Sequence, residues 1–435
     1  MPPLQPWTTR EGMRGSRMVL LALLSSQALS ERPGADWDSS SSSGGSGSSG
    51  SSRSSNEWEE MMGRARWNST VATGSFAVLL QGGAYRHRSR ITYKIGPERY
   101  SFARLQRDFG RSDCDASCKA MFRFTLPDLR RLHCALRLPA KINTGHGLVD
   151  SEEALLIMLR RLSYPATYAT LAWPTGRHPA QISRIFNGMI RHLYSSLTHL
   201  RDSRSLECWG PHFPRFAAAI HRGGRRSRRR AYRPMPLTNC VGFIDGSNQY
   251  TDKPGMYQHI LYNGHKRAHC VKWQGIMLPN GIMPMPFGPV HGRNHDALML
   301  EYSGVIPAMR RISAGLGCDY QLYGDPAYPL SPYLGAPFPS TILLNGAEAQ
   351  FNVDMSRSRI AVEWGFGKVK GNFAYLDFEK GMKPYLNDIQ RYWPVAQILT
   401  NCHTCLYGNQ TSNYFNLPPP QLEVYLAMGS NLPRY

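Results

Sequence analysis

Hydrophobic residues follow two different spacings along this chain, and the change falls near residue 240. Before it, apolar positions recur every three or four residues, the period of a helix face. Leu126, Leu129, Leu132 and Leu136 follow Thr125 and Pro127, a capping residue and a first-turn proline. Asp150 and Glu153 mark a second helix start that leads into Ala154, Leu155, Ile157, Met158 and Leu162. A short helix over 166–173, a Gly-containing turn over 174–179 and a longer helix over 180–200 follow, the last with Ile182, Ile185, Phe186, Met189, Ile190 and Leu193 on one face. That succession is a helix-turn-helix pattern, whose second helix meets a DNA major groove by its N-terminal residues. Here those residues are Arg177, His178, Gln181, Ser183 and Arg184, and a helical hairpin that only packs fits the spacing equally well.

Beyond residue 240 the apolar runs shorten and alternate, the signature of strands. Residues 240–247 form an apolar run that ends in Asp245-Gly246-Ser247. Further strands are expected at 259–262, 268–274 and 275–283, with Pro279-Asn280-Gly281 as a turn. His295-Asp296 opens a helical stretch to Met309, with Asp296 read as a helix cap rather than a metal ligand. Tyr320 to Asp325 then repeats the first design: apolar run, carboxylate, turn. A helix over 355–373 carries Val362, Phe366, Val369 and Phe373 as its apolar stripe, and Gly365, Gly367 and Gly371 on it suggest close approach of backbone or substrate.

The ends of the chain look different. Residues 39–55 are almost wholly Ser and Gly, a flexible linker, and residues 84–111 are rich in arginine, so 1–120 reads as a largely disordered tail. The apolar stretch near 18–30 follows three arginines but is too short and too late to be expected as a secretory signal. No apolar run approaches the roughly 20 residues needed to cross a bilayer, which excludes a polytopic membrane protein. The remaining parts are a helical region over 121–202, a basic linker over 203–236, an α/β domain over 237–410 and a tail over 411–435. The 51 basic and 30 acidic residues leave a net charge of +21, which points to a polyanionic partner. Seven arginines and no acid lie in 222–233; Arg225, Arg226, Arg228, Arg229 and Arg230 are candidates for phosphate contact, as well as for a nuclear-import signal. The nine cysteines fit a reducing compartment, and the pair Cys402 and Cys405 has the spacing of half a zinc site without a second half close by.

Two aspartates at strand ends and a glutamate, Glu363, on a later helix can converge at one edge of a sheet. Three carboxylates there would repel one another unless cations neutralised them, and hard oxygen donors suit Mg²⁺ or Mn²⁺. Two such ions serve phosphodiester chemistry. Each acid also has a plainer role: Asp245 and Asp325 as turn formers before Gly246 and Pro326, and Glu363 as the partner of Arg359 one helical turn earlier.

Six ordered blocks decide between these. They are Phe243-Ile-Asp245-Gly-Ser, the run from Tyr262 to Gln274, Pro279-Asn-Gly281, Gly292-Arg-Asn-His-Asp296, Tyr323-Gly-Asp325-Pro-Ala-Tyr-Pro329 and Arg359-Ile-Ala-Val-Glu363-Trp-Gly-Phe-Gly367. In this order the stretch from 240 to about 405 resembles the DDE endonuclease domain of Harbinger-type (PIF/Harbinger) transposases and their domesticated relatives. The resemblance implies an RNase H-like mixed sheet with flanking helices, behind a helix-turn-helix region, and a catalytic triad of Asp245, Asp325 and Glu363 that holds divalent Mg²⁺ or Mn²⁺. It implies a protein that cuts DNA and works with a separate Myb-like DNA-binding partner; a nuclear location is expected with it, and a homo-oligomer is one open assembly. A domesticated copy that no longer transposes, and a non-catalytic DNA-binding factor that uses only the helical region, are the alternatives.

Overall fold

The computed structural model describes residues 92–223, 234–339 and 344–430. The 39–55 linker, the 18–30 stretch and Arg225, Arg226, Arg228, Arg229 and Arg230 lie outside the described residues.

Helices come first. They are α1 (Phe102–Phe122), α2 (Leu126–Ala135), a hairpin of β1 (Lys141–Asn143) and β2 (Leu148–Asp150), then α3 (Ser151–Ser163), α4 (Tyr168–Thr175), α5 (Pro179–Ser196), α6 (Arg204–Glu207) and α7 (Phe213–Arg222). Thr125 caps α2 as its residue type dictates, its hydroxyl accepting the Asp128 N–H, and Leu126, Leu129 and Leu132 are buried. Gly176, in the left-handed conformation at φ 62°, ends α4, and α5 buries the expected face through Leu193.

Three boundaries differ from expectation. The expected tail over 1–120 stops short of α1, where Phe102, Leu105, Cys114, Cys118 and Phe122 are buried. Similarly, the expected linker over 203–236 holds α6 and α7, whose Phe213, Phe216 and Ile220 are buried despite the flanking arginines. Most of the expected C-terminal tail is packed as well, as shown below.

The second half holds β3 (Cys240–Tyr250), α8 (Gln258–Leu261), β4 (Tyr262–Asn263), β5 (Ala268–Met277), β6 (Phe287–His291), α9 (Asp296–Ser303), α10 (Val305–Leu316), β7 (Gln321–Tyr323), β8 (Leu334–Gly335), α11 (Gly346–Asn372), α12 (Ile389–Tyr407), α13 (Gln410–Phe415) and α14 (Leu422–Ala427). One sheet runs β4-β5-β3-β7-β8, with β6 also on β5; β3, β5 and β6 pair antiparallel, whereas β7 and β8 join β3 in parallel. A mixed sheet with flanking helices is therefore present.

The strand expected over 259–262 is mostly the helical turn α8, an ambiguity inherent in short apolar runs. Segments 268–274 and 275–283 merge at their start into the single strand β5, which passes through Gly275 because a Cβ there would strike the Phe366 ring at 2.8 Å. The stretch from 295 to 309 breaks into α9 and α10 at Gly304, φ 72°.

Helix α11 starts earlier than expected, under an Asn345 capping box, and lays Val362, Phe366, Val369 and Phe373 into the core. Gly365 gives the close approach expected of it, since a Cβ there would lie 2.2 Å from Met277 Cε; Gly367 and Gly371 have open space. Trp273 of β5 stacks on Trp393 of α12 at 5.9 Å, and Phe243 of β3 stacks on Phe415 of α13 at 6.0 Å. Those contacts, with buried Leu422, Tyr425 and Leu426 of α14, account for order beyond residue 410. Buried apolar residues of the helical and sheet regions form one continuous core.

Candidate active site

The parallel pairing of β3 with β7 ends at Phe243 opposite Tyr323. Asp245 and Asp325 each lie two residues further on, so the register itself sets the two acids side by side. Asp245 Oδ1 accepts the Gly246 N–H at 2.8 Å, and Asp325 Oδ1 accepts the Ala327 N–H at 3.0 Å across the Pro326 turn. Helix α11 adds the third acid. Arg359 donates through Nη1 to Asp245 Oδ2 at 3.0 Å and through Nη2 to Glu363 Oε1 at 3.4 Å. One guanidinium thus joins the strand acid to the helix acid. The side chain of Glu363 is 55% exposed and that of Asp245 only 17%.

Burial dominates the electrostatics. It pushes the Asp245 carboxyl up to about 6, helped by the charges of Asp325 and Asp296 and opposed by the Gly246 N–H and Arg359. The Asp325 carboxyl is also raised, first by burial and then by Asp296, against the Ala327 N–H, Arg359 and Lys272. Burial raises the Tyr328 phenol strongly, and Asp296, Asp245 and Asp325 add to it. Burial is the first cause of all three shifts, and groups perturbed in this way cluster at functional sites.

Asp296 corrects an expectation. The cap of α9 is His295, and Asp296 is the first helical residue with its Oδ1 3.1 Å from Lys272 Nζ, which also donates to the Asn294 carbonyl at 2.7 Å. Lys272 and Tyr328 were present in the sequence blocks without a role. Alternation along β5 sets Lys272 on the face of Gly246 and Asn248, where it meets Asp296, whereas nothing in the spacing of Tyr328 marks it.

The donor set suits a hard divalent cation in kind: carboxylate oxygens, partly buried, beside a buried phenol without a hydrogen-bond partner. Among the described residues no three His, Cys, Asp or Glu side chains are gathered closely enough to hold an ion as they stand. Arg359 and Lys272 supply the positive charge between them. Cys402 and Cys405 lie along α12, where burial raises the first thiol well above its ordinary value and the second to about 12.

At the start of α5 some of the expected groove-reading residues are engaged within the chain. Arg177 donates from Nε and Nη2 to the two carboxylate oxygens of Glu153, each at 2.8 Å. His178 and Gln181 close a capping box on α5. Ser183 is half-buried, its carbonyl accepting from Asn187, and His178, Gln181 and Arg184 of the candidate set are exposed.

Residues 244–401 match the family model of the DDE superfamily endonuclease. The matched segment, about a third of the chain, begins one residue before Asp245 and contains Asp325, Glu363, Lys272 and Arg359. Neither the curated proteins nor the solved structures include a match to the chain. No described helix is long and apolar enough to cross a membrane.

Proposed function

We propose that this protein is a metal-dependent DNA endonuclease of the transposase type, in which Asp245, Asp325 and Glu363 hold Mg²⁺ or Mn²⁺ and the sheet has the RNase H-like order. What carries the reading is the side-by-side placement of two half-buried aspartates, Asp245 inside β3 just past its parallel pairing with β7 and Asp325 just beyond β7, inside the segment that matches an endonuclease family. When bound, the cations supply Lewis-acid charge to the attacking and leaving oxygens of a phosphodiester. The chain's own part is positioning. Backbone N–H groups of Gly246 and Ala327 orient one oxygen of each aspartate and leave the second for exchange. Arg359 neutralises Asp245 and Glu363 before loading and, released from them, is free to face the phosphate. The finer assignment to the Harbinger type rests on the six ordered blocks. Nuclear localisation, a Myb-like partner and homo-oligomer formation belong to the same proposal. Bound Arg177 and the capping box favour nuclease function over a factor acting through α5 alone.

The test is nicking of supercoiled plasmid by the full chain with Mg²⁺ or Mn²⁺. Asp245→Asn, Asp325→Asn and Glu363→Gln are expected to abolish nicking and to leave DNA retention in a gel nearly unchanged. Equal nicking by the parent and all three variants, or by the parent in EDTA, would exclude the reading.

A further inference from the structure

A cavity of about 400 Å³ lies where the helical region meets the sheet region, and it shares no residue with the candidate active site. Arg201 and Asp202, from the segment between α5 and α6, line it together with Arg311 of α10. Met285, Phe287 and Pro307 supply its apolar surface. The volume is larger than a bare phosphate needs and falls in the range of small-ligand pockets, which begin at about 300 Å³.

The charges that line the cavity do not cancel. Asp202 is already taken by Arg204, whose Nη2 donates to Asp202 Oδ2 at 2.6 Å. Arg311 is taken by Glu207, to which its Nε donates at 3.1 Å. With those two pairs set aside, one positive charge is left over, on Arg201. No ion pair among the described residues involves that guanidinium. Its Nη2 donates to Thr198 Oγ1 at 3.2 Å, and its central carbon lies 3.5 Å from the centre of the Tyr194 ring. Its Nε is buried and has no hydrogen-bond partner among the described residues. A guanidinium carries five N–H donors, so bonding capacity remains. Burial lowers the proton affinity of Arg201, helped by Arg391 and opposed by Tyr194 and Asp202. A cation in such a place is costly without a counter-ion.

We propose that this cavity binds a phosphate-bearing nucleotide unit, with Arg201 on the phosphate and the ring of Phe287 as the face on which the base rests. Arginine forks match phosphate geometry, and every base offers a π-face to an aromatic ring. Arg311 is the reserve cation, held by Glu207 until a phosphate competes for it. A free mononucleotide and one nucleotide of a single strand present the same chemistry, so the source is a matter for the test. The proposal makes no use of a divalent ion or of the triad.

Calorimetry on the full chain in EDTA, at fixed salt, tests it with deoxycytidine monophosphate, deoxycytidine and inorganic phosphate as probes. The parent is expected to bind the monophosphate and to bind deoxycytidine far more weakly. Arg201→Gln is expected to weaken the monophosphate by about 10- to 100-fold, the range for a charge-assisted hydrogen bond. Phe287→Leu weakens it about 10-fold and leaves inorganic phosphate unchanged, because only the base loses its platform. Glu207→Gln tightens it by releasing Arg311, an effect that a purely structural ion pair would not give. Displacement of the monophosphate by a ten-residue deoxycytidine strand without terminal phosphates assigns the cavity to a strand, and no displacement assigns it to free mononucleotides. Equal binding of deoxycytidine and its monophosphate overturns the proposal, as does a parent that binds neither. Should Arg201→Gln fail to fold for want of its stacking on Tyr194, Arg311→Gln and Glu207→Gln decide, and unchanged affinity in both overturns it. Plasmid nicking with Mg²⁺ stays a separate readout, so either reading can fail alone.

Discussion

The start of α5 and the point where β3 and β7 part both collect charged side chains, yet they spend them differently. At α5, Arg177 and Glu153 satisfy each other through two hydrogen bonds, with side chains 11% and 3% exposed, and His178 and Gln181 close the helix end. Little bonding capacity remains for a partner. Where the β3–β7 pairing stops, Asp245, Asp325, Asp296 and Glu363 share Arg359 and Lys272, two carboxyls are pushed upward, and a buried phenol has no partner among the described residues. Charge is in deficit there, so an incoming cation gains what the protein leaves unsupplied. A basic residue at a groove-reading position is thus a weaker sign of function than an acid whose charge is left unbalanced.

Asp245→Asn breaks the comparison most sharply. It is expected to remove all measurable plasmid nicking without lowering stability, because the amide relieves a buried charge; a variant that nicks like the parent would make the point where β3 and β7 part as structural as α5. Glu153→Gln is expected to act the opposite way, costing about 3–5 kcal/mol by leaving Arg177 buried and unpaired. Chemical denaturation measures this, and a loss below about 1 kcal/mol would mean that the pair is not the internal lock described.

A pH series sharpens the contrast further. Asp245 has its folded-state carboxyl raised from 3.8 to about 6, so the folded chain holds that proton more tightly than the unfolded one. Its contribution is fully present below about pH 4 and is lost as pH rises through about 6. The parent's melting temperature should therefore fall relative to that of Asp245→Asn across this window in metal-free buffer, whereas parallel curves would contradict the burial of the charge. The smallest effect is expected at Arg184, exposed on α5. If it touches a phosphate, Arg184→Gln reduces the log–log salt slope of DNA binding by about 0.9. No change would remove the last basic α5 candidate from the interface.

Local chemistry made much of this legible in the sequence. Thr125 and Pro127 announce α2, the stripe from Val362 to Phe373 orients α11, and an apolar run ended by a carboxylate marks Asp325 beyond β7, because caps, helical period and strand ends depend on neighbours in the chain; β3, by contrast, runs past Asp245 to Tyr250 because β5 pairs with it that far. The residue blocks pointed to an endonuclease domain in the segment that the family model matches. Other features depend on partners far away in sequence. Helix α1 is ordered by buried Phe102 and Phe122 although it lies in an arginine-rich stretch, and α13 and α14 are held by packing on the sheet and on α12. The pairing of Arg177 with Glu153 is set by how α5 meets α3, which residue spacing along α5 does not encode. Asp296 looks like a helix cap by type and position. Only the register of β5 with β3, which sets Lys272 on the face of Gly246, turns it from the end of a helix toward Lys272.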